Sequence, residues 1–364
     1  MLEPEQILVE DAAAPSYYTL TNADGKCWVM PARDMRTAMH LYQPSGAKGK
    51  LLKRLFPWLH ALPPVRRVLH TRPVSYRLAD DLQALIESLF GAGTEWALFG
   101  GTPCVHQKTT LQLSRGGKIL GYLKLCNHAD VYRLFVHEQS VLNELEGAGM
   151  TNIPRCLGCG ELRPGLWYFA QSTTKTGKSR VPHVWTVGHA EFLRRLAENT
   201  QRTFVFDETD CCVALQRMQQ HADWLPEGAK PVVKAALNMV LGYYAGREVN
   251  FCAYHGDFTP WNMFVEGGRL FVFDWEYAGR SYPQGLDYYH FVTQSAIFEQ
   301  HAGAEEIWQQ MQQHVAECAE NRLKYACYLL DILGRFCLRE KGAAQGDELR
   351  CMEIWIELLR RLIK

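Results

Sequence analysis

Between Asn262 and Asp274 the chain runs Met263-Phe264-Val265, then Glu266-Gly267-Gly268-Arg269, then Leu270-Phe271-Val272-Phe273. Apolar run, turn and apolar run are the pattern of a β-hairpin. The midpoint falls at Gly268, so the two arms are about equal and Asn262 and Asp274 return to the same end. Just upstream stands His255-Gly256-Asp257-Phe258-Thr259-Pro260-Trp261. A short hairpin with these flanks sets an amide oxygen beside a carboxylate and leaves a second carboxylate, Asp257, on the preceding loop.

Three oxygen-bearing side chains in this order suit one class of chemistry. Moving a γ-phosphoryl group needs a carboxylate to receive the acceptor's hydroxyl proton, and oxygen ligands to hold Mg²⁺ against the triphosphate. Asp257 can supply the first, and Asn262 with Asp274 the second. Two ligands side by side match the few protein ligands that Mg²⁺ takes while keeping its waters. A His-Gly-Asp triplet alone is an ordinary turn, in which Gly supplies an unusual φ and Asp caps the backbone. The ordered set of base, asparagine, hairpin and second aspartate is what points beyond a turn.

These residues resemble the aminoglycoside phosphotransferase and choline kinase-like family, over roughly residues 92 to 295. The resemblance implies an α+β, two-lobed protein-kinase-like fold: a small antiparallel β-sheet lobe and a larger, mainly helical lobe, here with an additional N-terminal region. It implies Asp257 as the catalytic base and Asn262 and Asp274 as the metal ligands. His255 would brace the loop, and Asp287 in Gly285-Leu286-Asp287-Tyr288-Tyr289 would brace it from outside. The cofactors implied are ATP or GTP and Mg²⁺. Glu276 is consistent with this family and would help order the metal site.

The expected domains are an N-terminal extension over 1–90, basic in 35–79, a nucleotide-binding lobe over 91–172, and a catalytic and acceptor-binding lobe over 173–364. In the small lobe, Glu95-Trp96-Ala97-Leu98-Phe99 reads as a strand, Gly100-Gly101-Thr102-Pro103 as the turn over the phosphates, and Thr109 to Leu113 as a second strand. Gly116-Gly117 is a hairpin turn. A third strand, Ile119 to Leu125, places Lys124 among apolar neighbours, where a lone cation needs a reason. By the resemblance this lysine meets the nucleotide phosphates and pairs with a helix glutamate. Glu138 is that partner by its place one turn before Val141 and Leu142 on the apolar face, with Glu144 as the alternative. The loop differs from the Gly-x-Gly-x-x-Gly of protein kinases. After Leu166 to Ala170, the residues Gln171, Ser172 and Thr173 are expected as the hinge that meets the adenine edge.

Thr176-Gly177-Lys178-Ser179 ends like a phosphate-binding loop, but Ser172 stands where the earlier glycine belongs and Pro182 follows instead of a helix. Beyond residue 187 the spacing is helical: Phe192-Leu193 with Leu196, Val213 to Met218, Val232 to Tyr244 leading to the catalytic loop, and further helices after Asp287.

A chain of 364 residues with equal numbers of acidic and basic residues has no global basic field to recruit nucleic acid. No run reaches the ~20 apolar residues that span a bilayer, and Met1 to Glu5 lacks a cationic start, so a cytoplasmic place is expected. The twelve cysteines are scattered, with Cys156-Leu157-Gly158-Cys159 the sole Cys-x-x-Cys, which suits buried thiols better than a zinc site. Between Met35 and Ala79 there is no Asp or Glu, while Arg36, Lys48, Lys50, Lys53, Arg54, Arg66, Arg67, Arg72 and Arg77 are basic. Such a segment wants an anionic neighbour. Within 48–72, Leu51 to Leu59 mixes apolar and basic residues as an interfacial helix does, interrupted by Pro57 and Pro63-Pro64. Packing on the lobes is the favoured expectation for it. Peripheral contact with the inner membrane face, or with an anionic substrate, is the alternative.

No Asp-Phe-Gly or Ala-Pro-Glu is present, so a small-molecule or glycan acceptor fits better than a protein. The expected activity is transfer of a γ-phosphate to a hydroxyl of a sugar, an amino alcohol or an anionic glycan intermediate, as in surface-polysaccharide biosynthesis. A catalytically silent nucleotide-binding scaffold and an aminoglycoside-modifying kinase are the competing readings.

Overall fold

A computed structural model describes residues 2, 6–12, 16–22, 25–44, 46–102 and 107–364. The chain divides into two compact units, one of Met1–Glu146, Asn152–Arg180 and Glu266–Phe271, the other of Gly147–Thr151, Val181–Val265 and Val272–Lys364.

The first unit contains β1 (Leu8–Glu10), β2 (Tyr17–Thr21), β3 (Cys27–Pro31), α1 (Met35–Ala38), α2 (Ala47–Leu59), α3 (Pro63–Val68), β4 (Arg72–Val74), β5 (Tyr76–Leu78), α4 (Asp80–Phe90), β6 (Glu95–Phe99), β7 (Thr109–Arg115), β8 (Lys118–Cys126), α5 (Ala129–Gly147), β9 (Cys156–Arg163) and β10 (Leu166–Ser172). Eight of these strands form one antiparallel sheet in the order β4-β2-β3-β6-β7-β8-β10-β9. Side chains alternate between faces along a strand, and both faces of this sheet are covered. Val29, Trp96, Leu98, Leu111 and Leu123 pack with Leu82 and Ile86 of α4 on one face. Their sequence neighbours Trp28, Met30 and Ala97 pack with Phe56 of α2 on the other.

Residues 1–90 therefore share cores with the strands that follow them, and β3 pairs directly with β6, Trp28 opposite Phe99 and Val29 opposite Leu98. The segment around Pro57 departs from expectation. Helix α2 runs through this proline to Leu59, because a proline in the last turn costs the backbone a single hydrogen bond there, while Phe56 is buried beside it. Pro63-Pro64 open α3 instead of interrupting a helix, at the end where a fixed φ is tolerated.

The second unit contains α6 (Val187–Thr200), β11 (Arg202–Val205), α7 (Asp210–Gln220), α8 (Lys230–Tyr244), β12 (Glu248–Tyr254), β13 (Met263–Glu266), β14 (Arg269–Val272), β15 (Gly279–Tyr282), α9 (Leu286–Phe298), α10 (Ala304–Glu317), α11 (Ala319–Glu340) and α12 (Gly346–Leu362). Tyr325 to Leu333 of α11 are buried without a break, so this helix is the axis around which α7, α8, α9 and α12 pack. A three-stranded sheet, β11-β12-β15, replaces the direct helix-to-loop passage expected after Tyr244. β12 is what delivers the chain to His255. No helix among the described residues is long and apolar enough to cross a membrane.

Met30 is wholly buried between β3 and the α2 side of the sheet. Met30→Ala is expected to cost about 2–5 kcal/mol, read by urea unfolding of the intact chain. An unchanged midpoint would show that the first 90 residues do not contribute to the stability of this unit.

Candidate active site

The first unit holds one group of the expected residues. On β8, Lys124 lies opposite Thr110 of β7 and Phe169 of β10. Its Nζ is 2.7 Å from Glu138 Oε2 on α5. The buried face of α5 comprises Val131, Phe135, Glu138, Val141, Leu142 and Leu145, which places the glutamate on the inward stripe. Both partners are buried, so neither charge is tolerable alone, and the pair holds a cation at a fixed point in low dielectric. Glu144 faces the other way and accepts a hydrogen bond from Ser140 Oγ.

Gly100 and Gly101 follow β6. Gly101 has φ +88°, and a Cβ there would stand 2.2 Å from the Lys108 carbonyl oxygen, so only glycine fits. Pro103 lies outside the described residues. Gln171 and Ser172 are the last residues of β10, and Thr173 follows them. Ser172 binds Arg155 through both its amide and its hydroxyl, and the Gln171 side chain is buried with its Oε1 unpartnered among the described residues. Thr176 and Ser179 hydroxyls both donate to Glu266 Oε2, at 2.9 and 2.5 Å, which accounts for the phosphate-loop look-alike as a turn tied to the hairpin tip.

The second unit holds the other group. Gly256 has φ +79°, and a Cβ would meet the Tyr277 carbonyl oxygen at 2.3 Å. Around that turn the backbone N–H groups of His255 and Gly256 and the Gly256 carbonyl find side-chain partners. Asp287, buried at the start of α9, accepts from the backbone N–H of His255 at 2.9 Å and of Gly256 at 3.2 Å. Arg335 of α11 donates to the Gly256 carbonyl at 2.8 Å and is ion-paired with Asp331. His255 Nδ1 accepts from the Asp257 N–H at 3.1 Å, so Nε2 carries the proton and donates to the Phe273 carbonyl, also at 3.1 Å. Burial lowers this histidine to about 4, which keeps it neutral in that tautomer.

Asp257 itself is gripped at both oxygens. Oδ1 accepts from His290 Nε2 at 3.1 Å and Oδ2 from Asn262 Nδ2 at 2.7 Å, yet 30% of the side chain stays exposed. Burial pushes its carboxyl up, but the hydrogen bond and charge of His290 outweigh that and hold it below the usual range. Asp257 is thus an ionised, oriented acceptor open on one side. Asn262 and Asp274 are brought to one end of the hairpin, where the Phe273 N–H donates to the Asn262 carbonyl at 3.0 Å. Asp274 is held at φ +70°, a left-handed conformation that aspartate tolerates better than most residues. Amide and carboxylate oxygens are a hard donor set, suited to Mg²⁺.

His290 was not among the expected residues. The signal available was its place three residues after Asp287, the spacing that sets two side chains on one helix face. One turn of α9 thereby supplies both the brace of the loop and the orienting contact to its carboxylate.

Residues 121–284 match the model of a phosphotransferase enzyme family, a span that includes Lys124, Glu138, Asp257, Asn262 and Asp274. The match spans less than half of the chain. Over that span the chain is of a phosphotransferase type. A thermostable mutant of the aminoglycoside phosphotransferase APH(4)-Ia, in its apo form, is similar to it over 77% of this chain and 98% of that one, with 16% identity and a TM-score of 0.52. Choline kinase LicA from Streptococcus pneumoniae is similar over 77% and 98%, with 13% identity and a TM-score of 0.50. The same aminoglycoside enzyme in a ternary complex with AMP-PNP and hygromycin B is similar over 78% and 98%, with 16% identity and a TM-score of 0.50. At these identities the likeness establishes the two-lobed kinase-like fold. No curated protein sequence is significantly similar to the chain.

In this phosphotransferase, His290→Ala is expected to lower kcat by about 10²-fold with little change in the nucleotide KM, because it frees Asp257 to leave its orientation. His290→Gln, which keeps a donor, should recover part of the loss, and equal losses in both variants would refute a positioning role. Asp287→Asn removes one of two backbone acceptors and should cost about 1–3 kcal/mol. Burial raises Asp287 to about 7, so the stability it contributes is full below its unfolded value and fades as pH rises through about 7. The deficit of Asp287→Asn against wild type should therefore grow as pH falls from 7 towards 5, as measured by urea unfolding. A deficit independent of pH would contradict this.

Proposed function

We propose that this phosphotransferase transfers the γ-phosphate of ATP, with GTP as the alternative donor, to a hydroxyl of an anionic glycan intermediate, as in surface-polysaccharide biosynthesis in the cytoplasm. The observation that carries the reading is Asp257, hydrogen-bonded at both oxygens and still partly open. An acceptor hydroxyl that reaches the open side donates its hydrogen bond to a carboxylate that cannot turn away. The acceptor oxygen then forms its bond to phosphorus as the β–γ bridging bond breaks, and the proton passes to Asp257. A carboxylate held below the usual range is a weak base, which suits a loose transition state in which the proton leaves late. Most of its contribution is orientation.

Asn262 and Asp274 would hold Mg²⁺, whose charge neutralises the transferring phosphoryl group. Lys124, fixed by Glu138, supplies a positioned cation for the nucleotide phosphates, and the glycine turn at Gly100-Gly101 offers backbone amides to them. Gln171, Ser172 and Thr173 are the residues proposed for the adenine edge. The anionic character of the acceptor rests on the acid-free run from Met35 to Ala79, which would repel the polycationic substrates of an aminoglycoside-modifying enzyme.

Mg·ATP at about 100-fold over its Kd is expected to add ~2.7 kcal/mol of stability, raising the melting temperature by a few degrees, and Asp274→Ala should abolish the rise. Asp257→Ala should keep the rise and lower turnover by ~10²–10⁴. The acceptor is sought by incubating the protein with labelled ATP and fractionated cell glycans and metabolites. Nucleotide binding without transfer to any fraction, together with an unaltered cellular phenotype in Asp257→Ala, would favour the silent scaffold.

A further inference from the structure

Helix α2 has two apolar faces, and only one of them has a partner. Phe56 is buried and Leu52 packs beside it in the core beneath the sheet. On the other side Leu51, Leu55 and Trp58 are 58%, 41% and 67% exposed, and Leu62 just beyond the helix is 48% exposed. At about 100° per residue these three helix positions fall within roughly 60° of arc, so they form a stripe and not a scatter. Isolated exposed apolar residues need no explanation, whereas an ordered stripe does.

The rim of the stripe is cationic. Lys50 and Arg54 are exposed along one border, Lys48 lies one turn before Leu51, and the Arg36 guanidinium sits 3.9 Å over the Trp58 ring. No acidic residue occurs anywhere from Met35 to Ala79. A second copy of the chain is a poor occupant, because a two-fold contact sets the same patch against itself and would oppose these cations. A nucleic acid would reward the cations and leave the leucines and the tryptophan in water.

We propose that the exposed face of α2 is a docking surface for an anionic lipid bilayer, with Leu51, Leu55 and Trp58 entering the headgroup region and the flanking lysines and arginines meeting lipid phosphates. An amphipathic helix with a basic border, a tryptophan and leucines has the composition of an in-plane interfacial helix. This surface draws on the same acid-free run as the anionic reading of the acceptor, and its test reads lipid binding without turnover, so the two stand or fall separately.

The test uses the full-length chain and vesicles of phosphatidylcholine, alone or mixed with phosphatidylglycerol. Wild type is expected to sediment with the mixed vesicles, to stay in solution with phosphatidylcholine alone, and to be released by salt. Leu55→Glu with Trp58→Glu should remain in solution at an unchanged melting temperature, and Lys50→Ala and Arg54→Ala should each weaken binding about fivefold. Tryptophan fluorescence of the wild type should shift to the blue on the mixed vesicles, and Trp58→Phe should remove that shift. The proposal is overturned by a wild type that ignores anionic vesicles, by a shift that persists in Trp58→Phe, or by a wild-type dimer that the glutamate variant splits.

Discussion

The second unit depends on an exchange between one buried carboxylate and two backbone amides. The turn at Gly256 is too tight for a side chain and leaves the N–H groups of His255 and Gly256 pointing inward with no strand partner. Orphaned donors of that kind cost about 1–3 kcal/mol each. Asp287 is equally costly to bury, and each need answers the other. Arg335 closes the same turn from its carbonyl side, with Asp331 and Tyr282 behind it. The loop that carries Asp257 is thereby anchored to α9 and α11, the most deeply packed helices of this unit, and loop residues acquire the rigidity of a core.

Orientation follows from that anchoring. His255 reads the turn through Nδ1 and the hairpin end through Nε2, a choice of tautomer that burial makes permanent. His290 and Asn262 then take one oxygen each of Asp257. All of these contacts are made between residues of the chain itself. Preorganisation of this sort is where an enzyme with little covalent chemistry to perform finds its rate.

Legibility in the sequence varied with the range of the interaction. The hairpin between Asn262 and Asp274 was readable because its two arms and its Gly267-Gly268 turn are contiguous, and the strands read at Glu95–Phe99, Thr109–Leu113 and Ile119–Leu125, which lie within those observed, were readable for the same reason. Strand β12 was not, since seven residues directly after a helix carry too little alternation to stand out. His290 was hidden because its meaning depends on Asp257, 33 residues away. Helix α2 was readable in composition, but the division of its apolar residues between a packed and an exposed face was not.

What the sequence by itself determined is the chemical inventory: a carboxylate, an amide and a second carboxylate in hairpin order, a lysine inside an apolar strand, and glycines where backbone must pass close to backbone. Those are local matters of spacing and steric room. The tertiary structure alone decided which of several charges became partners, that Lys124 meets Glu138 and not Glu144, that Asp287 spends both oxygens on a turn, and that the N-terminal strands extend the sheet instead of standing apart. Charges and sheet edges find their partners by who else is left unsatisfied nearby after the chain has packed, and proximity of that kind is set by the fold as a whole.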